Sequence, residues 1–172
     1  MSEVSVMPYE GGRREKHRIL LVEDARELGE ALTQQFEVLG YECAIAQSCD
    51  AARQNLSRTS YAAALIDLGL PDGRGLDLLG YLTKSAPQTV PIILTGDAAS
   101  ETIIQAMRMG AFDYLLKPID LMTLRSAVAR AIMHHEAIRD RAILVELLKT
   151  ERDRLRERID EATADVRRQA KR

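Results

Sequence analysis

Hydrophobic positions along the chain follow two alternating patterns. Short, mainly apolar runs occupy 19–22, 41–46, 62–66, 90–94 and 112–116, broken only by Glu42 and Asp113. Between them apolar residues recur at helical spacing: Leu28, Leu32, Phe36 and Leu39 after the first run, then stretches over 49–57, 74–84, 99–109 and onward from Asp120. Strands covered on both faces have no polar side, so they read as continuous runs rather than alternations. Five such runs alternating with five helices predict an α/β fold, a doubly wound (βα)5 parallel sheet. Gly40 and Gly110 stand where helices should stop. One domain is expected over 17–135. Residues 1–16 carry Pro8, Gly11, Gly12 and several charges without periodicity, and read as a disordered leader.

The last helix does not stop. From Asp120 to about Gln169 there is no Pro and no Gly, and a helix of ~50 residues would span ~75 Å. A heptad frame fits its outer half, with Ile138, Val145, Arg152, Ile159 and Val166 on one set of positions. The other set is Arg141, Leu148, Leu155, Ala162 and Gln169. Arg141, Arg152 and Gln169 interrupt the seam. The pattern predicts a coiled coil over 136–172; the alternative is a solvated helix held by charge pairs such as Glu151 and Glu157 with Arg154.

Polar residues gather at the ends of the runs. The first ends in Glu23-Asp24, the third in Asp67, the fourth in Thr95-Gly96 and the fifth in Lys117-Pro118. In a parallel sheet these C-terminal ends share one edge, where open α/β folds place their chemistry. Asp67 closes an apolar run, so its desolvation must be compensated. Three carboxylates in one crevice repel one another, and a hard divalent cation such as Mg²⁺ (or Mn²⁺) relieves the repulsion while leaving positions for phosphate oxygens. Lys117 and the Thr95 hydroxyl then suit the oxygens of a moving phosphoryl group, and Asp67 suits the nucleophile that becomes an aspartyl phosphate. Out of context, Asp24, Asp67 and Lys117 also fit a structural salt-bridge cluster.

Four stretches together resemble the receiver domain of bacterial two-component response regulators. They are Ile19-Leu-Leu-Val-Glu-Asp24, Ala64-Leu-Ile-Asp67-Leu-Gly-Leu-Pro71-Asp-Gly73, Pro91-Ile-Ile-Leu-Thr95-Gly96 and Gly110-Ala-Phe-Asp-Tyr114-Leu-Leu-Lys117-Pro118. Each is weak alone; their order and spacing make the resemblance specific. It implies a flavodoxin-like receiver with Asp67 as phosphoacceptor. Asp24 and Asp67 would touch the metal directly, Glu23 through water, and the Gly69 backbone carbonyl would be the third protein ligand. It implies a cis Lys117–Pro118 peptide and a switch in which Thr95 moves toward the phosphoryl group and Tyr114 fills the space left. Tyr114 also fits a plain amphipathic edge position. Gly69 and Asp97 stand where the family tunes dephosphorylation. The implied partner is a sensor histidine kinase or phosphotransfer protein, with output through the long helix as a homodimer or to a downstream protein. No activity beyond self-phosphorylation and autodephosphorylation is implied.

Composition narrows the alternatives. Aromatics are 4% with no Trp, against a stacking surface for single-stranded nucleic acid. The net charge of -2 gives no global attraction to DNA or acidic membranes. Only one helix follows 135, which leaves no helix-turn-helix, so no direct DNA binding is expected. Cys43 and Cys49 lack a CxxC or nearby His and read as buried or half-buried thiols of a cytoplasmic protein. No signal peptide or membrane span is legible. A metal-dependent phosphatase of the haloacid-dehalogenase type would want Asp, not Gly69, two residues beyond Asp67. The chain also fits the front part of a larger protein with a further output module. His134-His135-Glu136 faintly resembles a histidine-kinase box but lacks its following residues, so these read as helix-surface histidines. The basic end, Arg167-Arg168 and Lys171-Arg172, reads as a solvated terminus.

Overall fold

A computed structural model describes residues 16–96 and 98–169, with side chains through 164. Five strands, β1 (Arg18–Val22), β2 (Glu42–Ala46), β3 (Ala63–Asp67), β4 (Val90–Thr95) and β5 (Asp113–Leu116), alternate with five helices. These are α1 (Arg26–Val38), α2 (Cys49–Arg58), α3 (Gly75–Ser85), α4 (Ser100–Arg108) and α5 (Leu121–Gln169). The strands form one parallel sheet in the order β2-β1-β3-β4-β5. The order reverses at β1, so the chain winds to both sides of the sheet.

The apolar runs are continuous because both sides are covered. All five residues of β3 and all six of β4 are buried. On one face, Ile19, Leu21, Leu65, Ile92 and Leu94 pack with Leu32 and Phe36 of α1 and Leu124, Val128 and Ile132 of α5. On the other, Leu20, Val22, Ile66 and Ile93 pack with Leu78, Leu79 and Leu82 of α3, Ala52 of α2 and Ala106 of α4. Gly40 and Gly110 end α1 and α4 with φ of 90° and 97°, the left-handed region where a side chain is strained.

The predicted long helix is a single α5. Asp120 caps it, accepting from the Thr123 N–H at 2.8 Å and its hydroxyl at 2.7 Å. Its first part is docked through Leu124, Ala127, Val128, Ala131 and Ile132. From Arg139 to Thr163 every residue is exposed, including Val145, Leu148, Leu155 and Ile159 of the heptad frame. Glu151 lies 3.8 Å from Arg154. The leader up to Glu15, Asp97 and the basic end at 170–172 lie outside the described residues; so do the side chains of Val166 and Gln169.

One reading needs correction. His135 is not on the helix surface: it is 8% exposed, and its Nδ1 lies 2.6 Å from the Gln88 carbonyl oxygen. That carbonyl, before β4, gives the ring a buried partner that helical periodicity cannot reveal. His134 is exposed but stacks on Phe112 at 5.0 Å. Cys43 and Cys49 are unpaired thiols, half-buried and buried. Burial, then Glu37, pushes Cys43 up to about 11, and burial also raises Cys49, so both stay protonated near neutrality. Among the described residues no helix is long and apolar enough to cross a membrane.

Candidate functional site

The parallel sheet brings the polar run ends to one edge. Glu23 follows β1, Asp67 ends β3, Thr95 ends β4 and Lys117 follows β5. Register holds the last two together: Thr95 pairs with Leu116, and the Lys117 N–H donates to the Thr95 carbonyl at 2.8 Å. The Lys117–Pro118 peptide is cis, as the resemblance implies.

Lys117 is the hub. Its Nζ donates to Glu23 Oε2 and to Asp67 Oδ2, each at 2.7 Å. Burial works to depress the ammonium. The hydrogen bonds and charges of Asp67 and Glu23 outweigh it and hold the pKa above the ordinary lysine value. Asp67 Oδ1 accepts from the Gly69 N–H at 2.9 Å, and Glu23 Oε1 from the Ala25 N–H at 3.2 Å. Glu23 and Asp67 are buried, whereas Asp24 is exposed at the rim. Ligand atoms of all three carboxylates lie within 4.8 Å of one another. Such an all-oxygen set with one side open to solvent fits a hard divalent cation.

Thr95 is buried at the same edge. Tyr114, partly buried, pairs with Ile93 on β4 and packs on the α3 side of the sheet. A cavity of about 420 Å³ opens over Asp67, bounded by the β3–α3 loop, Thr95-Gly96 and the start of α4.

The matching family is described as the response regulator receiver domain, over residues 19–129. The chain belongs to this family. Its receiver domain is 37% identical over 117 residues to the response regulator protein PilR of Pseudomonas aeruginosa, an alignment covering 68% of this chain and 26% of PilR. It is 34% identical over 110 residues to the photosynthetic apparatus regulatory protein RegA of Rhodobacter capsulatus, covering 64% and 60%. A solved CheY-like receiver domain from Methanospirillum hungatei superposes with a TM-score of 0.69 at 28% identity, covering 72% of this chain and 98% of that one. The chain thus spans about a quarter of PilR. Another relative, CitB of Klebsiella pneumoniae, is a transcriptional regulatory protein, so the expectation of no direct DNA contact finds no support among the relatives.

Sequence reasoning brought Glu23, Asp24, Asp67, Gly69, Thr95 and Lys117 to one place, and the receiver fold holds them there. It missed what fixes the loop beside Asp67. The Asp72 carboxylate accepts the N–H groups of Cys49 at 2.8 Å and Asp50 at 3.0 Å, tying the β3–α3 loop to the start of α2. Gly75 abuts the Asp67 carbonyl so closely that a Cβ there would fall 2.8 Å from Leu68 Cα. The glycine at a helix start was the only signal in the sequence.

Proposed function

We propose that this receiver domain accepts a phosphoryl group on Asp67 and reports it through α5. The observation that carries the reading is Lys117 Nζ held between Glu23 and Asp67 at 2.7 Å beside a three-carboxylate cluster. In the reaction an Asp67 carboxylate oxygen forms a bond to phosphorus as the bond from phosphorus to the donor atom breaks. That atom is a nitrogen of a kinase phosphohistidine or an oxygen of acetyl phosphate. Asp24, Asp67 and the Gly69 carbonyl would hold Mg²⁺ or Mn²⁺. Glu23, 1% exposed and bonded to Lys117, would act through water. The cation, when bound, supplies positive charge to the phosphoryl oxygens.

Lys117 then shifts its contact from Asp67 toward the new phosphoryl oxygens. The group adds about −1.5 to −2 charge. Thr95 moves to donate to it, and Tyr114 follows into the space beside β4. Tyr114 pairs with Ile93, two residues before Thr95 on the adjacent strand and so on the same face as Thr95, which supports this coupling. In this reading 17–135 is the receiver unit and 136–172 its output helix, pairing with a second copy as a coiled coil in the cytoplasm. Four exposed seam residues, Val145, Leu148, Leu155 and Ile159, support the pairing. The test is radiolabelled acetyl phosphate with Mg²⁺: one labelled site is expected, absent in Asp67→Ala. Label retained in that variant overturns the acceptor assignment.

A further inference from the structure

Beyond the acceptor machinery, the cavity over Asp67 is lined by Arg74, Thr102 and Gln105. Arg74 is the basic residue among the described residues that line it. We infer that Arg74 is a phosphodonor-binding residue, placing its guanidinium on the phosphoryl oxygens of an anionic donor before transfer to Asp67. The inference rests on the assignment of Asp67 as acceptor.

Three observations hold Arg74 at the mouth. Asp72 pins its loop to the α2 N-terminus through two backbone N–H groups. Gly75, the next residue, is pressed against the Asp67 carbonyl and Leu68 Cα, so the backbone at 74–75 is tied to the acceptor itself. The Arg74 carbonyl also lies 3.9 Å from Cys49 Sγ. The Arg74 backbone is therefore fixed at the N-cap of α3, and the residue is exposed beside a cavity with room for a small acyl phosphate.

Charge gives the position its use. Three carboxylates would be balanced by Lys117 and one divalent cation, so the loaded cluster would carry no net charge to draw a distant phosphate dianion. Arg74 adds one positive charge on the open side, where a donor arrives. A guanidinium matches phosphate oxygens through paired N–H donors, which an ammonium does not. The side chain is exposed and screened by salt, so its contribution should appear in donor capture rather than in the transfer step.

The experiment follows initial labelling rates against acetyl phosphate concentration and ionic strength for the full chain, Arg74→Ala and Arg74→Lys. Arg74→Ala should raise the donor KM roughly two- to five-fold with kcat nearly unchanged, the range expected for one exposed, salt-screened ionic contact. The wild-type rate should fall with added salt, and that dependence should flatten in Arg74→Ala and persist in Arg74→Lys. Thermal melting of each variant separates a structural role, which would lower Tm without changing the salt response. An unchanged KM and salt dependence in Arg74→Ala overturns the inference while Asp67 stands. Absence of label in the wild-type chain overturns the acceptor assignment on which it rests.

Discussion

The two halves of α5 are helical for different reasons. The inner half buries Leu124, Ala127, Val128, Ala131 and Ile132 against the sheet and ends near His135 and Ile138. In the outer half, every residue from Arg139 to Thr163 is exposed, with Leu148 and Ile159 each at 62%. The inner set is apolar, the outer one is apolar but for Arg141, Arg152 and Gln169, and no Gly or Pro separates them. The inner set follows the 3.6-residue helical repeat and meets the sheet, whereas the outer frame follows the 3.5-residue repeat on which the proposed pairing with another helix rests. In the proposed reading, one uninterrupted helix carries a structural half and an output half.

The largest effect comes from matched truncations. Leu124→Ala should cost roughly 2–5 kcal/mol of receiver stability in chemical denaturation, the range for a fully buried leucine. Leu155→Ala should change that stability by under about 0.5 kcal/mol and instead weaken self-association in sedimentation. Equal destabilisation by both would remove the distinction between the halves.

Gly75→Ala probes the acceptor end. The added Cβ must displace the Asp67 carbonyl or Leu68, since the obstructing atoms are backbone. A loss of about 1–3 kcal/mol is expected, with slower labelling by acetyl phosphate. Wild-type stability and rate would show that the loop yields freely.

At the boundary between the halves, His135→Ala removes the bond to the Gln88 carbonyl. It should cost about 1–2 kcal/mol and speed amide hydrogen exchange around 132–142, with little change beyond 145. Faster exchange along the whole outer half would mean that the docked part stabilises it directly.

The smallest effect is Asp72→Ala. Backbone N–H groups of Cys49 and Asp50 hold the Asp72 carboxyl below its ordinary value. A depressed carboxylate contributes stability above its unfolded pKa and loses it as pH falls through the folded value. The variant should therefore melt slightly below wild type near neutrality, and the gap should close in acid. A gap that widens in acid would contradict the capping role.

These variants also mark where sequence reading ended. Apolar runs and their polar ends were legible because a parallel sheet delivers every C-terminal strand end to one edge, so Asp67, Thr95 and Lys117 followed from order alone. Asp72 reaches α2 across 22 and 23 positions, His135 meets Gln88 across 47, and Gly75 presses on Asp67. Such contacts depend on how loops and helices settle, and no local period encodes them. The exposed apolar positions Val145, Leu148, Leu155 and Ile159 were legible for the opposite reason: a local repeat places them.

In the proposed function, phosphorylation of Asp67 governs the outer half of α5. Light scattering of the full chain, with and without acetyl phosphate and Mg²⁺, combined with disulfide yield at Leu148→Cys and with the unsubstituted chain as control for Cys43 and Cys49, tests it directly. The account predicts that phosphorylation changes the dimer mass fraction or the crosslink yield, and that Asp67→Ala abolishes the change. Identical mass and crosslinking in both states of the wild-type chain would contradict it.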